Sequence, residues 1–166
     1  GQQGAPVELK KKKKKDQPGA GSGSLTFTSI FRFPHTWFLA WTPSLVTDRG
    51  ILTETPAMLA FIAQSFPDAR LAPFEDAWAF AQVQSFNSYL CSTVHINHAH
   101  KMRGPRWAAE ESSFADMKRM VPKTMATCFG LIERNMLRGP WVMGEQYTVC
   151  DPYLYTLSGW LEGDSV

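Results

Sequence analysis

The chain is 166 residues long, 44% hydrophobic and 13% aromatic, enough apolar material for the core of one ordinary domain or two small ones. Its formal charge of +2 rests on six consecutive lysines, Lys10 to Lys15; without them the balance falls to about −4, so the folded part carries no general nucleic-acid footprint. Three widely spaced cysteines with no CxxC pair, Cys91, Cys128 and Cys150, argue against a disulfide framework and fit buried, reduced thiols of a cytoplasmic protein.

Residues 1 to 24 join GQQG, the lysine run and PGAGSGS, which bury too little apolar surface to offset chain entropy, and are expected to be disordered. Leu25 to Trp41 is apolar but broken by Arg32, Pro34 and His35, and no small-residue cleavage site follows, so neither a membrane anchor nor a signal is expected. Pro43 to Val46 and Ile51 to Thr53 are β-prone runs around Thr47-Asp48-Arg49-Gly50, a pattern that predicts a hairpin with Gly at positive φ. Thr55 is placed to cap a helix and Pro56 to open it, because the first N–H groups of a helix have no internal partner. That helix should run to about Ser65, and FPDARLAP, Phe66 to Pro73, reads as a connector.

From Phe74 to Arg103 there is no Gly or Pro. Trp78, Gln82, Phe86, Tyr89, Leu90, Thr93 and Val94 recur there at three- and four-residue spacing, predicting a long helix that ends at Gly104-Pro105. Ser113 to Asp116 reads as a capping box opening another long helix, with Met117, Val121, Cys128, Ile132 and Met136 as its stripe, a kink at Pro122 and an end at Gly139-Pro140. Thr148 and Asp151 form a second box, and Tyr153, Leu154, Leu157, Trp160 and Leu161 of the helix that follows suit a bundle core. Cys150 stands at that helix N-terminus, where a thiol pKa can be lowered. His95, His98 and His100 give HINHAH a metal-like look, but their spacing does not set three imidazoles on one helix face, so no metal is expected. Arg106 and Trp107 read as surface packing.

The junction Glu54-Thr55 carries the clearest chemistry. A helix N-terminus offers unpaired N–H groups and about half a positive charge, which draw a carboxylate, and Thr55 adds a hydroxyl. The Glu54 carboxylate would draw an ammonium group. Together they could hold the two charges of an α-amino acid head; equally, Thr55 could simply cap its helix with Glu54 as a surface acid.

TPSLVTDRGILTETPAMLAFIAQSFP, a connector ending in LAP, SYLCSTVH and GPWVMGEQYTVCDPYL follow one another in an order that resembles the glutathione transferase family, particularly its bacterial beta-like members, over about Trp41 to Glu162. The resemblance implies a mostly α fold, in which a partial thioredoxin-like hairpin-plus-helix precedes a glutathione-transferase C-terminal-like helical bundle. Residues 1–36 would be a disordered or non-homologous basic tail, 37–66 the glutathione-binding segment, 67–73 a linker and 74–166 a truncated helical domain. It also implies that Glu54 and Thr55 hold the γ-glutamyl end of glutathione, that the backbone of Thr42 pairs with its cysteinyl part, that Pro43 is the family's cis-proline, and that His95 faces the active-site cleft. Glutathione as co-substrate, a hydrophobic electrophile, homodimeric assembly and a cytoplasmic setting follow in the same way, with no metal, specific nucleic acid or membrane partner.

The chain departs from the family where chemistry is concerned. The thiol-activating Ser, Cys or Tyr sits in the first strand–helix turn of a thioredoxin-like domain, and that β–α–β section is not recognisable here, so no catalytic residue is assigned. The Asn-Pro-x-Gly loop before the cis-proline is absent, and Val166 falls just after the sixth helix, so a fragment of a longer parent is expected. Its hairpin should leave a bare sheet edge that favours self-association. The expected function is conjugation of glutathione to electrophiles in the parent, impaired in this chain. The alternative is a non-catalytic protein-interaction module of the same family, while a nucleic-acid or membrane binder rests on Lys10 to Lys15 alone.

Overall fold

The computed structural model describes residues 43–166 and, before them, the backbone of Val7–Leu9 and Leu25–Thr28. Contacts group the chain into two units, Gly1–Phe61 and Ile62–Val166. In the first, β3 (Ser44–Thr47) and β4 (Gly50–Leu52) form the expected hairpin, in the register Leu45↔Leu52, Val46↔Ile51 and Thr47↔Gly50. Its two-residue turn is fastened by Thr47, whose hydroxyl donates to the Gly50 carbonyl (2.9 Å) and accepts from the Arg49 N–H (3.1 Å). Gly50 has φ 132°, a region that a Cβ largely closes. Leu45 turns inward and is fully buried.

The β3 edge, expected to be bare, is covered, while β4 remains an edge strand. β2 (Leu25–Thr28) pairs antiparallel with β3, and β1 (Val7–Leu9) pairs with β2, giving a four-stranded antiparallel sheet in the order β1-β2-β3-β4. The edge fills because β2 supplies the N–H and C=O partners that β3 would otherwise expose. Val7–Leu9 thus forms a strand inside the segment expected to be disordered; the lysine run lies outside the described residues.

The second unit is helical. α2 (Ala77–Tyr89) starts three residues after Phe74 because the Asp76 carboxylate is its cap, accepting from the N–H groups of Trp78 (2.9 Å) and Ala79 (3.0 Å). It continues through a π-helical turn, Leu90–Val94, into α3 (His95–Ala99). The buried line runs through Val83, Phe86, Asn87, Leu90 and Val94, whereas Trp78 is 73% exposed. The stripe is rotated from the expected one because Val83 meets α5, the Cys150 thiol lying 3.7 Å from the Val83 carbonyl oxygen.

α4 (Glu111–Asn135) begins before the expected capping box; the Ser113 N–H already bonds the Glu110 carbonyl at 3.0 Å, and Asp116 pairs with Arg119 instead. The helix runs through Pro122 and ends about a turn before Gly139, burying Val121, Met125, Cys128 and Ile132. Ahead of it, Gly104 opens a 3-10 turn, and a Cβ there would stand 2.7 Å from the Phe114 ring. α5 (Cys150–Ser158) and α6 (Leu161–Asp164) complete the unit. Among the described residues, no helix is long and apolar enough to cross a membrane.

The box at Thr148 forms. The Asp151 carboxylate accepts from the Thr148 N–H (2.7 Å) and hydroxyl (3.2 Å) through one oxygen and from the Val142 N–H (2.8 Å) through the other, while the Thr148 hydroxyl accepts from the Cys150 N–H at 3.3 Å.

Candidate glutathione site and the histidine face

α1 (Thr55–Ser65) begins one residue earlier than expected. The carbonyl of Glu54 accepts the first helical bond, from the Met58 N–H at 3.0 Å, so Glu54 occupies the cap position and Thr55 the first helical one. The cause is the backbone of Glu54, which adopts φ 68° and swings the chain into the helix from the left-handed region. A residue with a Cβ pays about 1 kcal/mol for that conformation. The Glu54 side chain is exposed, Thr55 half-buried. The N–H groups of Thr55 and Ala57 have no partner within the helix, Pro56 has none to offer, and Met58 behind them is buried at 1%. An acid, a hydroxyl and two N–H donors without a partner inside the helix therefore meet at one helix mouth.

Thr42 lies outside the described residues, and with it the peptide bond to Pro43; Pro43 itself is exposed, just ahead of β3.

His95 belongs to the second unit and opens α3 directly after the π turn, its N–H bonding the Leu90 carbonyl five residues back. Such a turn carries one residue more than an α turn and is frequent at functional sites. The half-buried His95 ring stands edge-on to Trp160, centroids 5.3 Å apart. Burial holds the imidazole below its ordinary pKa, and the electrostatic influence of Arg103, His98 and Arg106 pushes the same way. His98 stacks on the same indole at 4.3 Å, and its Nδ1 bonds the buried Asp164 carboxylate at 2.6 Å. His100 turns away and packs edge-on against Trp107, 4.4 Å between centroids.

The depressed His95 pKa has a consequence for stability. The unfolded imidazole takes up its proton near 6.5, the folded one only at lower pH, so between the two the unfolded state binds more protons and stability falls as pH drops. His95→Gln should flatten the loss of urea midpoint between pH 7 and the folded pKa; an unchanged slope would place the effect elsewhere.

No family model matches the chain. A glutathione transferase homolog from Sulfitobacter, solved with bound glutathione, is 48% identical with a TM-score of 0.73, over 76% of this chain and 61% of that one. The chain is similar in sequence and fold to glutathione transferases. The bacterial beta class glutathione S-transferase of Sphingomonas chungbukensis is 26% identical with a TM-score of 0.65, over 76% and 60% of the two chains. Glutathione S-transferase GstA of Escherichia coli O157:H7 is 24% identical over 120 residues, 71% of this chain and 56% of GstA. The chain thus spans about three fifths of the length of the relatives it matches.

Within the helical unit, Cys150 corrects one expectation: its thiol is fully buried and burial pushes it up to about 12, outweighing the hydrogen bond with Thr148, so it is protonated and unreactive at neutral pH. Among the described residues no group of three His, Cys, Asp or Glu stands close enough to hold a metal ion. A groove of about 470 Å³ opens between Trp78, Gln82, Met136, Arg138 and Met143 and includes none of the residues expected at the site. The left-handed turn at Glu54, the π turn before His95 and the meeting of His95 with Trp160 escape the sequence reading. Only the first has a local signal, in that the run into Thr55-Pro56 leaves one residue to make the whole change of direction.

Proposed function

We propose that the chain binds glutathione at the mouth of α1, with the Glu54 carboxylate on the ammonium of the γ-glutamyl end and the Thr55 hydroxyl and N–H on its carboxylate. The observation that carries this reading is Glu54 itself, an exposed acid held at φ 68° beside the first N–H groups of α1, which have no partner within the helix. Backbone strain of this kind persists where the surroundings over-determine it, and it concentrates at ligand clamps. The 48% identical Sulfitobacter homolog with bound glutathione supports the same ligand.

In the full reading, residues 37–66 are the glutathione-binding segment and 74–166 the helical domain, joined by 67–73. Thr42 and Pro43 meet the cysteinyl part, His95 faces the reacting end, and a hydrophobic electrophile is the second substrate of a cytoplasmic homodimer. Thiolate activation needs a donor within about 3 Å of sulfur. No described residue is assigned that role, so binding should exceed turnover. Retention of the chain on glutathione-agarose, with elution by free glutathione and little conjugation of a generic electrophile, is the expected result. Passage straight through the column would reduce Glu54-Thr55 to a helix cap, and brisk turnover would refute the impairment.

A further inference from the structure

His95, His98 and Lys101 recur at three-residue spacing and form one stripe, facing Trp160 and Asp164, which stand one turn apart and are linked by the Asp164 N–H to the Trp160 carbonyl at 2.9 Å. The contacts interlock. Trp160 meets the His95 ring edge-on at 5.3 Å and the His98 ring in a stack at 4.3 Å. Asp164, its side chain fully buried, accepts from His98 Nδ1 at 2.6 Å and from Lys101 Nζ at 3.3 Å, and Lys101 also bonds the Gly163 carbonyl. A buried carboxylate so satisfied cannot move without stranding a charge, which fixes His98 and with it the indole stacked on it.

The remaining freedom belongs to His95. Rotation of an imidazole about its last torsion is broad and shallow, so a half-exposed ring without a packing partner samples several orientations. The perpendicular indole removes most of them. We propose that Trp160 is a positioning residue for His95, and that Asp164, acting through His98, holds Trp160 in place. The proposal rests on the reading that His95 belongs to the glutathione site. Its chemical content is that one ring nitrogen of His95 is presented in a fixed direction before ligand arrives, so binding need not order the ring.

The test is the histidine and tryptophan ring NMR spectrum of the full chain with glutathione titrations of the same samples. Trp160→Leu should displace and broaden the His95 ring signals and weaken glutathione about three- to tenfold, the cost of ordering one side chain on binding. Trp160→Phe should restore narrow lines and most of the affinity. Asp164→Asn should move the His98 signals and, through them, those of Trp160 and His95.

His95 signals unmoved by Trp160→Leu would overturn the proposal, and Trp160 and His95 signals unmoved by Asp164→Asn would overturn the part given to Asp164. Should the leucine variant not fold, Trp160→Phe decides alone, since the weaker ring current of phenylalanine must still shift His95. Full glutathione affinity in His95→Ala, together with displaced His95 signals in Trp160→Leu, would leave the positioning intact and remove His95 from the glutathione site.

Discussion

Replacing Asp151 by alanine is expected to destabilise the helical unit by about 3–5 kcal/mol, as the summed cost of leaving buried donors unpaired at about 1–3 kcal/mol each. The size follows from where the three bonds go. Thr148 and Val142 are both 3% exposed, so their N–H groups, now bonded to Asp151 at 2.7 and 2.8 Å, lose a partner that solvent replaces only in part when the carboxylate is removed. The same carboxylate sits in the first turn of α5, where the helix N-terminus favours negative charge. Set against a total stability of about 5–15 kcal/mol, the loss should lower the melting temperature by roughly 10 °C or more.

Asp151→Asn keeps one acceptor and should cost about half as much. Thr148→Ala removes only the hydroxyl that accepts from the Cys150 N–H and should cost about 1 kcal/mol, the usual worth of a cap. A series in which all three variants melt together would mean that the box does not carry the fold of this end.

Thr148 and Asp151 were readable in advance because a capping box is a local device, a hydroxyl and a carboxylate three residues apart with an apolar run behind them. The hairpin at Asp48-Arg49 was readable for the same reason. Elsewhere the deciding feature is either distant in sequence or unmarked by residue type. The inward face of α2 is set by Cys150 across 67 residues, which carries Val83 inward and leaves Trp78 in solvent. Ser113 and Asp116 have the pattern of a box, but a helix already running from Glu111 absorbs them. Nothing in SYLCSTVH marks the π turn, since no Gly or Pro is needed to insert one residue into a helix. At the candidate site, the residue types at 54 and 55 carry the proposal of an amino-acid head, while the left-handed backbone that presents them depends on how β4 hands over to α1.

Glycine at position 54 should separate the two roles of that residue. The native φ of 68° is open to glycine without strain, so Glu54→Gly relieves about 1 kcal/mol in the folded state, part of which the more flexible unfolded chain takes back. The expected net effect is a stability equal to or slightly above that of the parent. Glutathione affinity should move the other way and much further. A hydrogen bond to a charged group contributes about 1.5–3 kcal/mol, so losing the carboxylate should weaken binding about 10- to 100-fold.

Glu54→Ala removes the same carboxylate but keeps a Cβ in the left-handed region, so it should match the glycine variant in affinity and fall below it in stability. Glu54→Gln, which keeps shape and hydrogen-bonding oxygen but not charge, should lie between parent and alanine in affinity. Urea unfolding and glutathione titration of the three variants therefore read strain and binding on independent axes. Equal stability of the glycine and alanine variants would show that φ 68° stores no strain, and undiminished affinity in both would show that the acid caps a helix and clasps nothing.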